Sequence, residues 1–125
     1  MKKRVLATIA LCVLLISIFS VMSSAANVDL LPSDHEAFSG TTTGYSAFFY
    51  GRNKETSQHW VYFESQYSDS GTIWSPDVKR YIGIGSDCPI TTTTSWSNAC
   101  LWRLRLNPTG VYKNCAAYGY IFRNT

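Results

Sequence analysis

After residue 40 the chain is cut by turn-forming clusters at intervals of about 8–12 residues, a spacing that suits β-strands and leaves no room for a helical layer. The runs between the cuts are rich in β-branched and aromatic residues. Gly44–Tyr50 leads to a turn at Gly51-Arg52-Asn53-Lys54. Gln58–Tyr67 alternates, with Trp60 and Tyr62 on one face and Val61 and Phe63 on the other, and Ser68-Asp69-Ser70-Gly71 ends it. Thr72–Trp74 is a short strand stopped by Ser75-Pro76-Asp77, Val78–Ile84 is a further strand, and Ile90–Trp96 is a Thr-rich extended stretch after the loop Gly85-Ser86-Asp87. One helical turn is expected near the N-terminal end, over Pro32–Gly40. There Ser33 and Glu36 have capping-box spacing and Gly40 is the stop. The fold class is therefore all-β, a small antiparallel β-sandwich or barrel of about 6–7 short strands with that one helical turn.

The last two strands carry the clearest alternation. Cys100, Trp102, Leu104 and Leu106 share one face, and Leu101, Arg103 and Arg105 share the other. Asn107-Pro108-Thr109-Gly110 has the type I turn pattern, with Pro second and Gly fourth. A hairpin follows, its return strand running from Val111 to Phe122 with Tyr112, Ala116, Tyr118, Tyr120 and Phe122 as the more apolar face. Register follows the buried face, so that face is paired with Trp102 and Leu104. Arg103, Arg105 and Lys113 then gather on the outer side as a basic face.

The N-terminus reads as a targeting segment. Lys2, Lys3 and Arg4 precede an apolar run from Val5 to Met22, and Ser23-Ser24-Ala25-Ala26 supplies small residues for cleavage after Ala25 or Ala26. Residues 1–26 are thus a signal peptide and 27–125 a single secreted β domain with no membrane span after cleavage; attachment to the cell surface is left open. The formal net charge of +3 belongs to the leader. Residues 27–125 carry eight cations (Arg52, Lys54, Lys79, Arg80, Arg103, Arg105, Lys113, Arg123) against eight acids, a balance of zero. That excludes the strong attraction to phosphate backbones on which nucleic-acid binding rests. The charges are nevertheless segregated: all eight acids precede Cys88, and four of the cations follow it.

Export implies an oxidising compartment, and three cysteines remain in the domain. The hairpin register turns Cys100 inward and Cys115 outward, so the expected disulfide is Cys88–Cys100, which leaves Cys115 free or bridging two chains of a homodimer. No metal site is indicated, because no Cys-x-x-Cys occurs and neither histidine lies near the cysteines. No cofactor motif is present.

Catalytic constellations are missing too. His59 has no nameable acid partner, since Glu64 lies on the opposite strand face, and no Gly-x-Ser-x-Gly elbow occurs. Glu36 and Glu64 would make an acid pair for glycoside hydrolysis, but nothing in the spacing brings them together. The chain is therefore read as not an enzyme.

What remains is an abundance of rings. All four Trp, all eight Tyr and five of the six Phe follow residue 26, more than one small core needs. This supports an exported, non-catalytic protein that binds an extracellular or cell-envelope glycan or protein. Trp60, Tyr62, Trp74 and Trp96 are the candidate contacts. Two alternatives share the same layout: a bacteriocin-like antagonist, and a proteinase inhibitor presenting the 88–100 segment as a tethered loop.

Overall fold

The computed structural model describes residues 25–124. The expected signal peptide lies outside this range but for Ala25 and Ala26, which begin the first strand. The described residues form nine strands and no helix: β1 (Ala25–Leu30), β2 (Ala37–Phe38), β3 (Thr42–Gly44), β4 (Ser46–Asn53), β5 (Val61–Ser68), β6 (Ser75–Ile82), β7 (Asp87–Thr92), β8 (Cys100–Asn107) and β9 (Ala117–Asn124). They make two antiparallel sheets. Sheet A has four strands in the order β1-β9-β4-β7. Sheet B has five, in the order β2-β8-β5-β6, with β3 also pairing β8. The all-β expectation holds as two packed sheets; the strand number exceeds 6–7 because β2 and β3 are very short pieces paired to β8 and the lead-in before Pro32 pairs β9 as β1.

Pro32–Gly40, read from sequence as a helical turn, is a tight turn followed by β2. The Asp34 N–H donates to Leu31 O at 2.9 Å, and the Asp34 carboxylate accepts the Leu31 N–H at 3.1 Å. Ser39 then ties the segment to β8. Its N–H donates to Leu104 O at 2.9 Å, and its Oγ accepts the Leu104 N–H at 2.8 Å. The backbone groups that a helix would satisfy internally are satisfied across a sheet edge instead.

The alternation in β5 and β8 is as expected: Val61, Phe63, Ser65, Trp102, Leu104 and Leu106 are fully buried. The hairpin after β8 is not. β8 stays in sheet B beside β5, while the chain crosses through residues 108–116 to place β9 in sheet A between β1 and β4. Its parity is also reversed. Cys115, Ala117, Gly119 and Ile121 face the core, and Tyr118, Tyr120 and Phe122 face outward.

The reason is volume. Phe63, Leu104 and Trp102 from sheet B fill the interior, so the centre of sheet A must be thin. Gly51 and Gly119 are cross-strand partners there. A Cβ at Gly119 would lie 2.6 Å from Leu104 Cδ2, and one at Gly51 would lie 2.7 Å from Phe63 Cε2 and 2.1 Å from Tyr118 O. Tyrosine rings on the inner face would have no space. For the same reason Gly51 is not a turn residue: β4 runs straight through it to Asn53, with a register shift against β7 between Phe49 and Gly51. Pro76 likewise is the second residue of β6 rather than the end of a strand. It lies on the edge strand of sheet B, opposite Gln66 and beside a second register shift, where a missing N–H costs no ladder bond.

Candidate functional site

The outer face of sheet B collects most of the side chains with chemistry to offer. Even-numbered residues of β5, odd-numbered residues of β8, and Lys79 and Tyr81 of β6 point there. Across the sheet, Asn107, Tyr62 and Tyr81 form one row, and Phe38, Arg105, Glu64 and Lys79 form the next. Arg103 and Gln66 pair in the row beyond.

Trp60, just before β5, heads this face and is 49% exposed. Its indole lies on Gly83. A Cβ at Gly83 would sit 3.3, 3.3 and 3.6 Å from three consecutive atoms of the six-membered ring, Cε2, Cζ2 and Cη2. Near-equal distances to three consecutive ring atoms put that point over the ring face, not at its edge. Gly83 therefore lets the indole lie flat, with one face on the backbone and the rest of the ring half in solvent. Tyr81 braces it at 4.9 Å between centroids, and Tyr62 stacks on Tyr81 at 4.3 Å. The Lys79 ammonium covers the Tyr62 ring at 4.9 Å.

The middle of the face is an ionic belt. Glu64 is 4% exposed yet well partnered: Gln66 Nε2 donates to its Oε1 at 2.8 Å, Lys79 Nζ is 3.4 Å from Oε2, and Arg105 Nη1 is 3.8 Å from Oε1. Arg105 Nε also donates to Glu36 Oε2 at 2.9 Å. Glu36 and Glu64, which sequence spacing does not connect, thus meet on one guanidinium. A hollow of about 270 Å³ lined by His35, Glu36, Arg105 and Asn107 among others opens beside them.

At the far end the Arg103 guanidinium is held between two rings, 4.1 Å from the Phe38 centroid and 4.3 Å from that of Trp74. Its Nε donates to Gln66 Oε1 at 2.8 Å.

Of the four rings chosen from sequence, Trp60, Tyr62 and Trp74 share this face. Trp96 does not. It follows β7, its N–H donates to Tyr45 O at 2.8 Å, and its ring rests at 5.1 Å on Tyr67, which in turn contacts the core Trp102. The expected basic face is divided as well. Arg103 and Arg105 are neighbours on β8, but Lys113 is exposed in the β8–β9 connection, because no hairpin forms. The acidic and basic halves of the sequence are interleaved by strand pairing, with Arg105 in register with Glu64.

Phe38, Gln66, Lys79 and Tyr81 were missed from sequence. Strand parity alone joins Tyr81 to Tyr62 only after the β5–β6 register is known. A second aromatic group was also missed, on the outer face of sheet A. Phe48 stacks on Phe122 at 5.2 Å and 15°, Tyr50 on Phe122 at 5.7 Å and 8°, and Tyr120 lies 5.4 Å from Tyr50. Near-parallel rings at this separation are offset-stacked, and all four are partly buried. The signal for this stripe was the row of small residues opposite it in parity, Ala47, Gly51, Ala117 and Gly119.

The three cysteines are buried and free, so the expected Cys88–Cys100 bridge is absent. Cys88 is on β7 in sheet A, while Cys100 begins β8 in sheet B, where its thiol faces Gly44 O at 3.9 Å. Cys115, expected outward, is fully buried and donates to His59 O at 3.4 Å, so a bridge to a second chain requires opening the core. Burial pushes the Cys88 thiol up to about 11, and burial raises that of Cys100. The His59 ring stacks on Tyr112 at 4.4 Å. No group of His, Cys, Asp or Glu with metal-binding geometry occurs among the described residues, and no described helix is long and apolar enough to cross a membrane. The chain matches no protein-family model, no curated protein and no solved structure.

Proposed function

We propose that this is an exported, non-catalytic carbohydrate-binding protein whose contact surface is the outer face of sheet B. The observation that carries the reading is the Trp60 indole, laid flat on Gly83 and half exposed. A sugar ring stacks its C–H face on an aromatic ring only where that ring offers a free face, and a ring backed by the peptide chain is held ready for it. Tyr62 and Tyr81 fix the indole, and their hydroxyls have no hydrogen-bond partner among the described residues. The ionic belt beside them supplies oriented donors and acceptors, as a polar ligand rich in hydroxyls requires.

The test is co-sedimentation of the purified domain with isolated cell walls and insoluble polysaccharides, followed by tryptophan fluorescence titration with soluble glycans. Saturable binding is expected, with Trp60→Ala lowering affinity about tenfold and Phe48→Ala leaving it unchanged; a stacking contact worth about 0.5–1.5 kcal/mol beyond its buried area is of that size. Absence of binding to every wall and polysaccharide overturns the reading and moves attention to soluble protein targets, proteinases first. The inhibitor alternative has less support than it had from sequence. The 88–100 segment lacks its disulfide tether, and it is pinned by Thr93 to Ala47 and by Thr94 to Asp77.

A further inference from the structure

Arg103 differs from the other cation of β8. Arg105 has two carboxylates; Arg103 has none. The acid whose charge reaches it, Glu36, is itself bonded to Arg105. The plane of the Arg103 guanidinium is fixed by Phe38 on one side and Trp74 on the other, and its Nε is fixed by Gln66. That leaves the Nη1–Nη2 edge without an acceptor among the described residues. Burial lowers the pKa of the group, which is the sign of a charge short of compensation.

From this clamp we infer a carboxylate-binding subsite, in which the Nη1–Nη2 edge of Arg103 takes a carboxylate in a bidentate pair between the rings of Phe38 and Trp74. A guanidinium edge matches the two oxygens of a carboxylate in one plane, and a planar ligand group fits between two ring walls. One uncompensated positive charge also suits a singly charged carboxylate better than a doubly charged phosphate. The inference rests on the glycan reading above and deepens it: the ligand is an acidic glycan bearing uronic acid. Four residues of β5 separate Tyr62 from Gln66, about 13 Å along the strand. One sugar cannot reach both Trp60 and Arg103, so the ligand is an oligosaccharide.

The experiment is isothermal titration of the domain with oligogalacturonides, with the same oligomers methyl-esterified at the carboxylate, and with neutral galactan oligomers. The expected result is preference for the free acid by about tenfold or more, the value of a charge-assisted pair. Arg103→Gln and Arg103→Lys should both abolish that preference, since Lys keeps the charge but not the fork, while thermal melting checks that each variant folds. Trp60→Ala should weaken acid and ester alike. Equal affinity for acid, ester and neutral oligomers, or a preference that survives in both Arg103 variants, overturns the subsite and leaves the glycan reading standing. Failure of all three ligands to bind, together with failure of every polysaccharide in the sedimentation assay, overturns both.

Discussion

Asn53 links the two sheets through one side chain. It ends β4 in sheet A, is fully buried, and its Nδ2 donates to His59 O and Ile82 O, each at 3.1 Å. Those carbonyls flank β5 and close β6. Asn53→Ala removes this donor from Ile82 O in the buried interior, while His59 O keeps the Cys115 thiol, and a buried unsatisfied polar group costs about 1–3 kcal/mol. Urea denaturation should show a loss of about 1–3 kcal/mol in the variant. Asn53→Asp should be worse, because the carboxylate has no proton to donate and turns an acceptor toward each carbonyl. Cys88 sets a pH dependence of stability. Its thiol rises from 9.0 to about 11 through burial. The folded state thus holds the proton more tightly than the unfolded chain, so this contribution is full below about pH 9 and lost as pH climbs toward 11. Melting temperature should fall across that window, and Cys88→Ala should flatten part of the fall; an unchanged slope refutes the assignment.

At the scale of elements, the pairing of Gly51 with Gly119 controls how closely the sheets approach. The two glycines are not equivalent. A methyl at Gly119 meets the mobile end of Leu104 at 2.6 Å, which can turn aside. A methyl at Gly51 meets backbone, Tyr118 O at 2.1 Å and Gly119 Cα at 2.8 Å, which cannot. Gly119→Ala should therefore cost about 1–3 kcal/mol in chemical denaturation, as overpacking does. Gly51→Ala should exceed that range and threaten folding, given a total stability of about 5–15 kcal/mol for a small domain. The same element shows where sequence reasoning succeeded and where it failed. β5 and β8 were legible because their buried faces are large and apolar. β4 and β9 were misread because Ala47, Gly51, Ala117 and Gly119 interrupt their buried faces beside Phe49 and Ile121, and the rings on the other parity look like a core.

At the scale of the whole molecule, the three thiols report on closure of the sandwich. Each is buried, so none should react with a water-soluble alkylating reagent in the native state. All three should react together once urea unfolds the domain, and mass spectrometry counts the adducts. Early labelling of Cys115 alone would reveal that the β8–β9 connection opens independently. The residues of the candidate surface follow the same logic of assembly. Trp60 and Tyr62 were chosen from the excess of rings, and local alternation put them on one face without saying which face is buried. That Trp60 lies on Gly83, that Trp74 and Phe38 clamp Arg103, and that Glu36 and Glu64 share Arg105 depend on strands brought together from distant parts of the chain.

Local properties were readable without a fold. Period-two alternation, turn clusters and β-branched runs indicated that the described chain is all-β, that Trp102, Leu104 and Leu106 face inward with Arg103 and Arg105 outward, and that Trp60 and Tyr62 lie on the opposite face from Val61 and Phe63. These features depend only on each residue and its near neighbours. Which strand lies beside which was decided by tertiary structure alone, because the chain must match bulky side chains on one sheet to small ones on the other. That volume constraint put β9 in sheet A rather than beside β8 and turned Cys115 inward. It spread a segregated charge sequence into paired rows and left Arg103 the one cation of β8 without a carboxylate partner among the described residues.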